Sequence, residues 1–144
     1  MQIWLTLAIV VLLDRISKFL IQTNLELGES LEVIPGFFHL TYIQNPGAAF
    51  GLLAGKNWLF VLTTVLVLGA IVYFQAKIPD HKLIRICLGM IGGGALGNLY
   101  DRLFLGKVVD FLDFKVWSYI FNIADSMIVV GGFLLAFLIY KHSS

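Results

Sequence analysis

The sequence predicts an all-α membrane protein of four transmembrane helices carrying a small extracytoplasmic β-hairpin, and three observations predict it. Of its 144 residues 59% are hydrophobic and only 13% charged, more apolar surface than a soluble fold of this size can hide. The apolar residues gather into four runs of spanning length. The basic residues of the connections concentrate on alternate sides of those runs, as a fixed orientation in a membrane requires.

The runs are Ile3–Ile21, Trp58–Ala76, Leu83–Leu99 and Phe121–Tyr140, each near the roughly 20 residues that cross a hydrocarbon core of ~30 Å. The first lacks the basic n-region and small-residue cleavage site of a secretory leader and carries Asp14, Arg15 and Lys18, so it reads as a retained helix. Lys77, Lys82 and Arg85 lie between the second and third runs, and Lys141 follows the fourth. The positive-inside rule puts these regions and both termini in the cytoplasm. The connections 22–57 and 100–120 then face outward and hold most of the carboxylates. In the first of them, Leu31–Ile34 and Phe37–Asn45 are rich in β-branched and aromatic residues and flank Pro35-Gly36, a suitable centre for a type II turn. A hairpin over about residues 31–45, resting on the membrane surface, is expected. Trp4, Trp58, Tyr73, Trp117, Tyr119 and Tyr140 fall near helix ends, where amphipathic rings favour the interface. Gly89, Gly93 and Gly97 recur every four residues and offer one face of the third helix for close packing. The whole chain, 1–144, is expected to form a single membrane domain.

A formal charge of +1 leaves no basic field for nucleic acid. The single Cys87 lies in an apolar run without a His or second Cys nearby, and packing accounts for it. His39, His81 and His142 are scattered and no His-Glu-x-x-His helix occurs, so no metal and no cofactor are expected.

Ionised side chains inside a membrane cost at least ~2.5–3.5 kcal/mol each on insertion scales, so each needs a partner or a purpose. Asp14 and Lys18 stand at i and i+4 in the favourable acid-first order and can neutralise each other. Ser17 beside Lys18 is poor geometry for a serine–lysine pair, because adjacent helical residues point ~100° apart. At the outer end of the third helix Asn98, Asp101 and Arg102 fall at i, i+3 and i+4, on one face. Asp110 follows shortly, and Asn122 and Asp125 open the fourth helix. Helices three and four are antiparallel, which puts Asp110 and Asp125 at the same membrane face. Two carboxylates in a partly dehydrated site share a proton, and such a pair can hydrolyse an amide without metal or covalent intermediate. The alternative is structural: Asp125 as a favourable anion in the first turn of a helix, and Asp110 as a solvated loop residue.

At this point the chain resembles the lipoprotein signal peptidases, or signal peptidase II, of bacteria. Five segments carry the resemblance in the family's order: 14–18 (DRISK), 45–50 (NPGAAF), 93–102 (GGALGNLYDR), 109–111 (VDF) and 121–125 (FNIAD). It implies an aspartic endopeptidase that removes the signal peptide from prolipoproteins, cutting before a diacylglyceryl-modified cysteine, with its site near the outer face of the bacterial cytoplasmic membrane. Asp110 and Asp125 match the family's catalytic aspartates. Asn45, Gly47, Asn98, Arg102, Asn122 and Ala124 match positions at the substrate, and Asp14, Lys18 and Asp101 match supporting ones. The hairpin resembles the family's cradle, and the segment after Phe50 its loop over the substrate. The partners implied are modified prolipoproteins and membrane lipid, and the enzyme is expected to be a monomer.

Two other readings fit less well. Presenilin-type or prepilin-peptidase-type proteases carry a Gly-x-Gly-Asp element, which the chain lacks. A channel or transporter subunit would carry polar residues through the membrane, whereas most here crowd the outer end.

Overall fold

The computed structural model describes residues 1–47, 53–78 and 80–143. In chain order these form α1 (Gln2–Asn24), β1 (Ser30–Ile34), β2 (Phe38–Asn45), α2 (Asn57–Phe74), α3 (Lys82–Phe104), β3 (Val108–Phe114) and α4 (Ile123–Ser143). Each helix contains or closely follows a predicted run, and α3 continues one and a half turns further, to Phe104. The fold is therefore mostly helical with a small antiparallel sheet. Among the described residues α2, α3 and α4 are long and apolar enough to cross a membrane. The 23-residue α1 has the length but carries Asp14, Arg15 and Lys18 within its C-terminal half.

The central helix is α3, against which α1, α2 and α4 all pack. Its glycines make that possible. Gly89 and Gly93 lie against α1, where a β-carbon at Gly93 would stand 2.8 Å from the Leu7 carbonyl oxygen. Gly97 continues the same face and meets the Asp14 carboxylate. On another face Gly94 receives the first turn of α4 at the Ala124 carbonyl. Backbones this close let short polar side chains on three helices reach one another.

The predicted hairpin is present: β1 and β2 pair antiparallel across the Pro35-Gly36 turn, with Gly36 at φ +69°. The all-α-plus-hairpin expectation needs one correction, because a third strand completes the sheet in the order β1-β2-β3. In β3, Asp110 stands opposite Ile43 and Val108 opposite Asn45. Asp110 is thus a strand residue and only 1% exposed, not a solvated loop residue. Ile21 of α1 packs with Tyr42, Val109 and Phe111, which seats the sheet on the C-terminal end of α1.

Candidate active site

Asp110 and Asp125 line one cavity of about 320 Å³ between α2, α3, α4 and the sheet. Asn45, Gly47, Asn98, Arg102 and Tyr119 share its lining. The elements that deliver the two carboxylates differ in kind. Strand pairing fixes Asp110, whereas Asp125 is fixed by the start of α4. There Asn122 Oδ1 accepts from the Asp125 N–H at 2.8 Å, and the Asn122 N–H donates to Asp125 Oδ2 at 3.3 Å. This reciprocal arrangement is a capping box, and it satisfies two backbone donors that the helix start would leave open.

Three asparagine amides hold the four carboxylate oxygens, together with that one backbone donor. Asn122 Nδ2 donates to Asp110 Oδ1 at 2.8 Å and Asn45 Nδ2 to Asp110 Oδ2 at 3.2 Å. Asn98 Nδ2 donates to Asp125 Oδ1 at 2.7 Å. Each amide is oriented by a second bond. The Gly47 N–H donates to Asn45 Oδ1 at 3.0 Å, an Asx-type turn around Pro46. Lys18 Nζ donates to Asn98 Oδ1 at 3.1 Å, and Asn122 is turned by its own cap bond. With each amide oxygen engaged by a donor, the NH₂ groups have to face the carboxylates.

Beneath the site lies a neutral cluster of two acids and two bases. Lys18 Nζ sits 2.9 Å from Asp14 Oδ2 and 2.9 Å from Asp101 Oδ2, so with Asn98 all three of its protons have acceptors. Arg15 bridges the same two carboxylates at 2.9 and 2.8 Å. Asp14 Oδ1 accepts the Ala124 N–H at 3.2 Å and Asp101 Oδ2 accepts the Val109 N–H at 3.0 Å. The cluster therefore ties α1 to α3, to β3 one residue before Asp110, and to α4 one residue before Asp125. The i, i+4 pairing expected of Asp14 and Lys18 is present; Arg15 was not expected to join it. Its role depends on the approach of α3, which no local pattern in α1 announces.

Electrostatics separates the site from ordinary surface carboxylates. Burial, then the neighbouring charge of Asp125, pushes Asp110 from 3.8 up to about 7, against the opposing bonds from Asn45 and Asn122 and the charge of Lys18. Burial and the two carboxylates push the Tyr119 phenol up as well, so it stays protonated. Arg102 stacks its guanidinium 4.3 Å from the centre of the Phe60 ring while its carbonyl accepts from Asn57 at 3.0 Å.

Several expectations change. Asn98, Asp101 and Arg102 do not share one environment: Arg102 faces the cavity, Asp101 faces the ion cluster, and Asn98 joins the two. Asn122 and Ala124, expected at the substrate, are fully buried and lie outside the cavity lining. Asn122 orients Asp110, and the Ala124 N–H ties α4 to Asp14. Tyr119 was read only as an interfacial ring, and Phe60 and Thr64 of α2 carried no motif, yet all three line the cavity. Ala48, Ala49, Phe50 and the expected loop after them begin in 48–52, outside the described residues. Among the described residues no group of three or more His, Cys, Asp or Glu is placed to hold a metal ion. Asn122→Ala is expected to lose about 1–2 kcal/mol from the cap alone. Thermal unfolding in detergent, read by helical circular dichroism, measures that loss.

Residues 6–141 match a family model described as signal peptidase (SPase) II. A lipoprotein signal peptidase of Desulfitobacterium hafniense is 60% identical over 139 residues, covering 96% of this chain and 92% of that protein. One from Staphylococcus aureus is 40% identical, covering 94% and 85%. A solved structure of a bacterial membrane enzyme superposes with a TM-score of 0.88 at 39% identity, covering 97% of this chain and 88% of that one. A helical membrane protein with buried, amide-held carboxylates beside an apolar cleft, matched along nearly its whole length by these relatives, belongs to the signal peptidase II family of proteases.

Proposed function

We propose that the chain removes the signal peptide from prolipoproteins by aspartic catalysis, with Asp110 and Asp125 as the reacting pair and the cut just before a diacylglyceryl-modified cysteine. One observation supports this above the rest: both carboxylates open into the same cavity while every one of their oxygens keeps a defined hydrogen-bond donor. The pair shares one proton. As water attacks the scissile carbonyl carbon, the ionised carboxylate takes a proton from that water and the protonated one gives its proton to the carbonyl oxygen. The tetrahedral adduct then collapses, the C–N bond breaks, and the amine leaves with a proton returned by the pair. Arg102 and Asn45 offer donors to the substrate's peptide carbonyls from the cavity wall. Gly47 and Asn98 complete that wall, while Asn122, Asp14, Lys18 and Asp101 hold the acids in place.

In this reading the chain is one domain and α1 is the fourth membrane span. Its charges are tolerated because the cluster with Asp101 neutralises them within protein. Both termini are cytoplasmic and the site lies at the outer face of the cytoplasmic membrane, where water and a lipid-anchored substrate meet. In this reading the enzyme acts as a monomer. The deciding experiment is cleavage of a diacylglyceryl-modified precursor by the purified protein. Release of the signal peptide, weak cleavage of the unmodified precursor, and a rate unaltered by chelators are expected. Equal rates on the two precursors would sink the substrate assignment.

A further inference from the structure

A separate cavity of about 380 Å³ lies between the segment that follows β3 and the flank of α4, and it presents only apolar surface. One wall is aromatic. Phe121 is pinned to β3 by backbone bonds with Leu112 at 2.8 and 3.2 Å. Its ring stacks on Phe114 at 5.9 Å and on Tyr119 at 6.3 Å, with interplanar angles of 16° and 24°. The rim is Val116 and Trp117, 77% and 64% exposed, on a turn closed by the Trp117 N–H to the Phe114 carbonyl at 2.9 Å. The opposite wall is α4, where Ser126, Val129 and Val130 stand at i, i+3 and i+4 on one face. Ser126 turns its hydroxyl back to the Asn122 carbonyl at 3.0 Å, so it brings no unmet polar group to that wall. Tyr119 and Asp125 line both this bowl and the cavity of the two acids.

We propose that the bowl receives one acyl chain of the diacylglyceryl group on the substrate cysteine, which leaves the cavity of the two acids past Tyr119. The inference rests on the reading that Asp110 and Asp125 cut just before that cysteine. Covalent geometry supplies the argument. The glyceryl group hangs from the cysteine sulfur, a few bonds from the scissile nitrogen, so it starts beside the carboxylates. Its chains do not stay among Asn45, Asn98 and Arg102, because apolar chain against those side chains would strip their water without replacing it. They leave where apolar surface is continuous with the acids, and the bowl begins at Asp125 itself. The exposed Val116 and Trp117 favour the membrane interface, so the rim meets the lipid from which the chain comes. A chain gains little on passing from one apolar medium to another, since lipid tails are as apolar as leucine. The bowl therefore works by position: it keeps the chain dry while the cysteine backbone reaches the acids. Tyr119 stands at the passage, its ring stacked on Phe121 and its side chain in the lining of both cavities.

The test follows the chain, first with the unaltered enzyme. A diazirine is placed at successive carbons of the acyl chains of a modified precursor, mixed with the enzyme in phosphatidylglycerol vesicles. Probes on the carbons nearer the glycerol are expected to label Trp117, Val129 or Val130. Cleavage accompanied by labels on bilayer lipid or on other residues alone overturns the bowl and leaves the catalytic reading intact. No cleavage of any modified precursor overturns that reading, and the proposal with it. As a second measurement, Val129→Trp and Val130→Trp fill the bowl from a face of α4 that does not line the cavity of the acids. With a long-chain precursor kcat/KM is expected to fall about tenfold, and with one whose glyceryl carries only acetyl groups much less. Equal losses on the two precursors, or no loss in variants whose unfolding midpoints match the parent, overturn the proposal.

Discussion

Asn in place of either Asp110 or Asp125 is expected to lower kcat/KM for a modified precursor by about 10²–10⁴-fold, with the protein still folded. Each change removes one exchangeable proton site and keeps the side chain's shape. Full activity in either folded variant would remove that residue from the chemistry. The pH dependence is specific as well. With Asp110 raised from 3.8 to about 7, the proposed pair keeps its shared proton up to about that pH, so kcat/KM is expected to fall as pH rises through about 7. Stability follows the same titration with a worked sign. A carboxyl raised in the folded state makes the folded protein bind more protons than the unfolded one between those values. Its contribution is therefore most favourable below about 4 and declines as pH climbs toward 7, where it levels off. Asp110→Asn should flatten that slope. Unfolding midpoints at pH 4, 6 and 8 measure it, and parallel slopes in the two proteins would contradict the assignment.

Lys18→Met is expected to cost about 3–5 kcal/mol, the largest stability loss of any single change considered, because it leaves two buried carboxylates to share the one charge of Arg15. Lys18 is 1% exposed, and Asp14 is fully buried. Against a typical domain stability of about 5–15 kcal/mol such a loss is severe, and the variant should accumulate poorly in membranes. Combining it with Asp14→Asn restores charge balance, since Arg15 and Asp101 remain paired at 2.8 Å. Recovery of about 1–3 kcal/mol in the double variant is expected from coupling of this kind. Activity should not recover to the same degree. Without Lys18, the Asn98 oxygen keeps only the bond from Asn122 Nδ2 at 3.0 Å, and the donor to Asp125 is held less firmly. Additive losses in unfolding midpoints would show the four charges to be independent.

The helices were legible because hydropathy is a local property and each run has spanning length. The Pro35-Gly36 turn was legible for the same reason: a positive φ at Gly36 is written into two adjacent residues. Strand β3 was not. Val108–Phe114 is rich in β-branched and aromatic residues, but its partner β2 lies over 60 residues earlier, and nothing local announces the pairing. Asp110 was therefore named as a candidate while its burial stayed hidden. Asn122 shows the opposite limit. Its spacing to Asp125 is that of a capping box, readable from sequence, yet Asn122 was assigned to the substrate and Asp125 to the chemistry without the bond between them. Arg15 and Tyr119 needed the tertiary fold, since the first depends on Asp101 and the second on a cavity closed by α2 and α4.

The capping box has a consequence for biogenesis. Its two residues open α4, which follows Asn45, Asn98 and Asp110 in the chain, so these three are made before it. A nascent chain holding α1 through β3 has one acid, no Asn122 to orient it and no second carboxylate beside it. Only insertion of α4 supplies both at once, and the same event gives Asp14 its Ala124 bond. Insertion of α4 is thus the step that would assemble the proposed pair, and chains that stop before it are expected to be proteolytically silent.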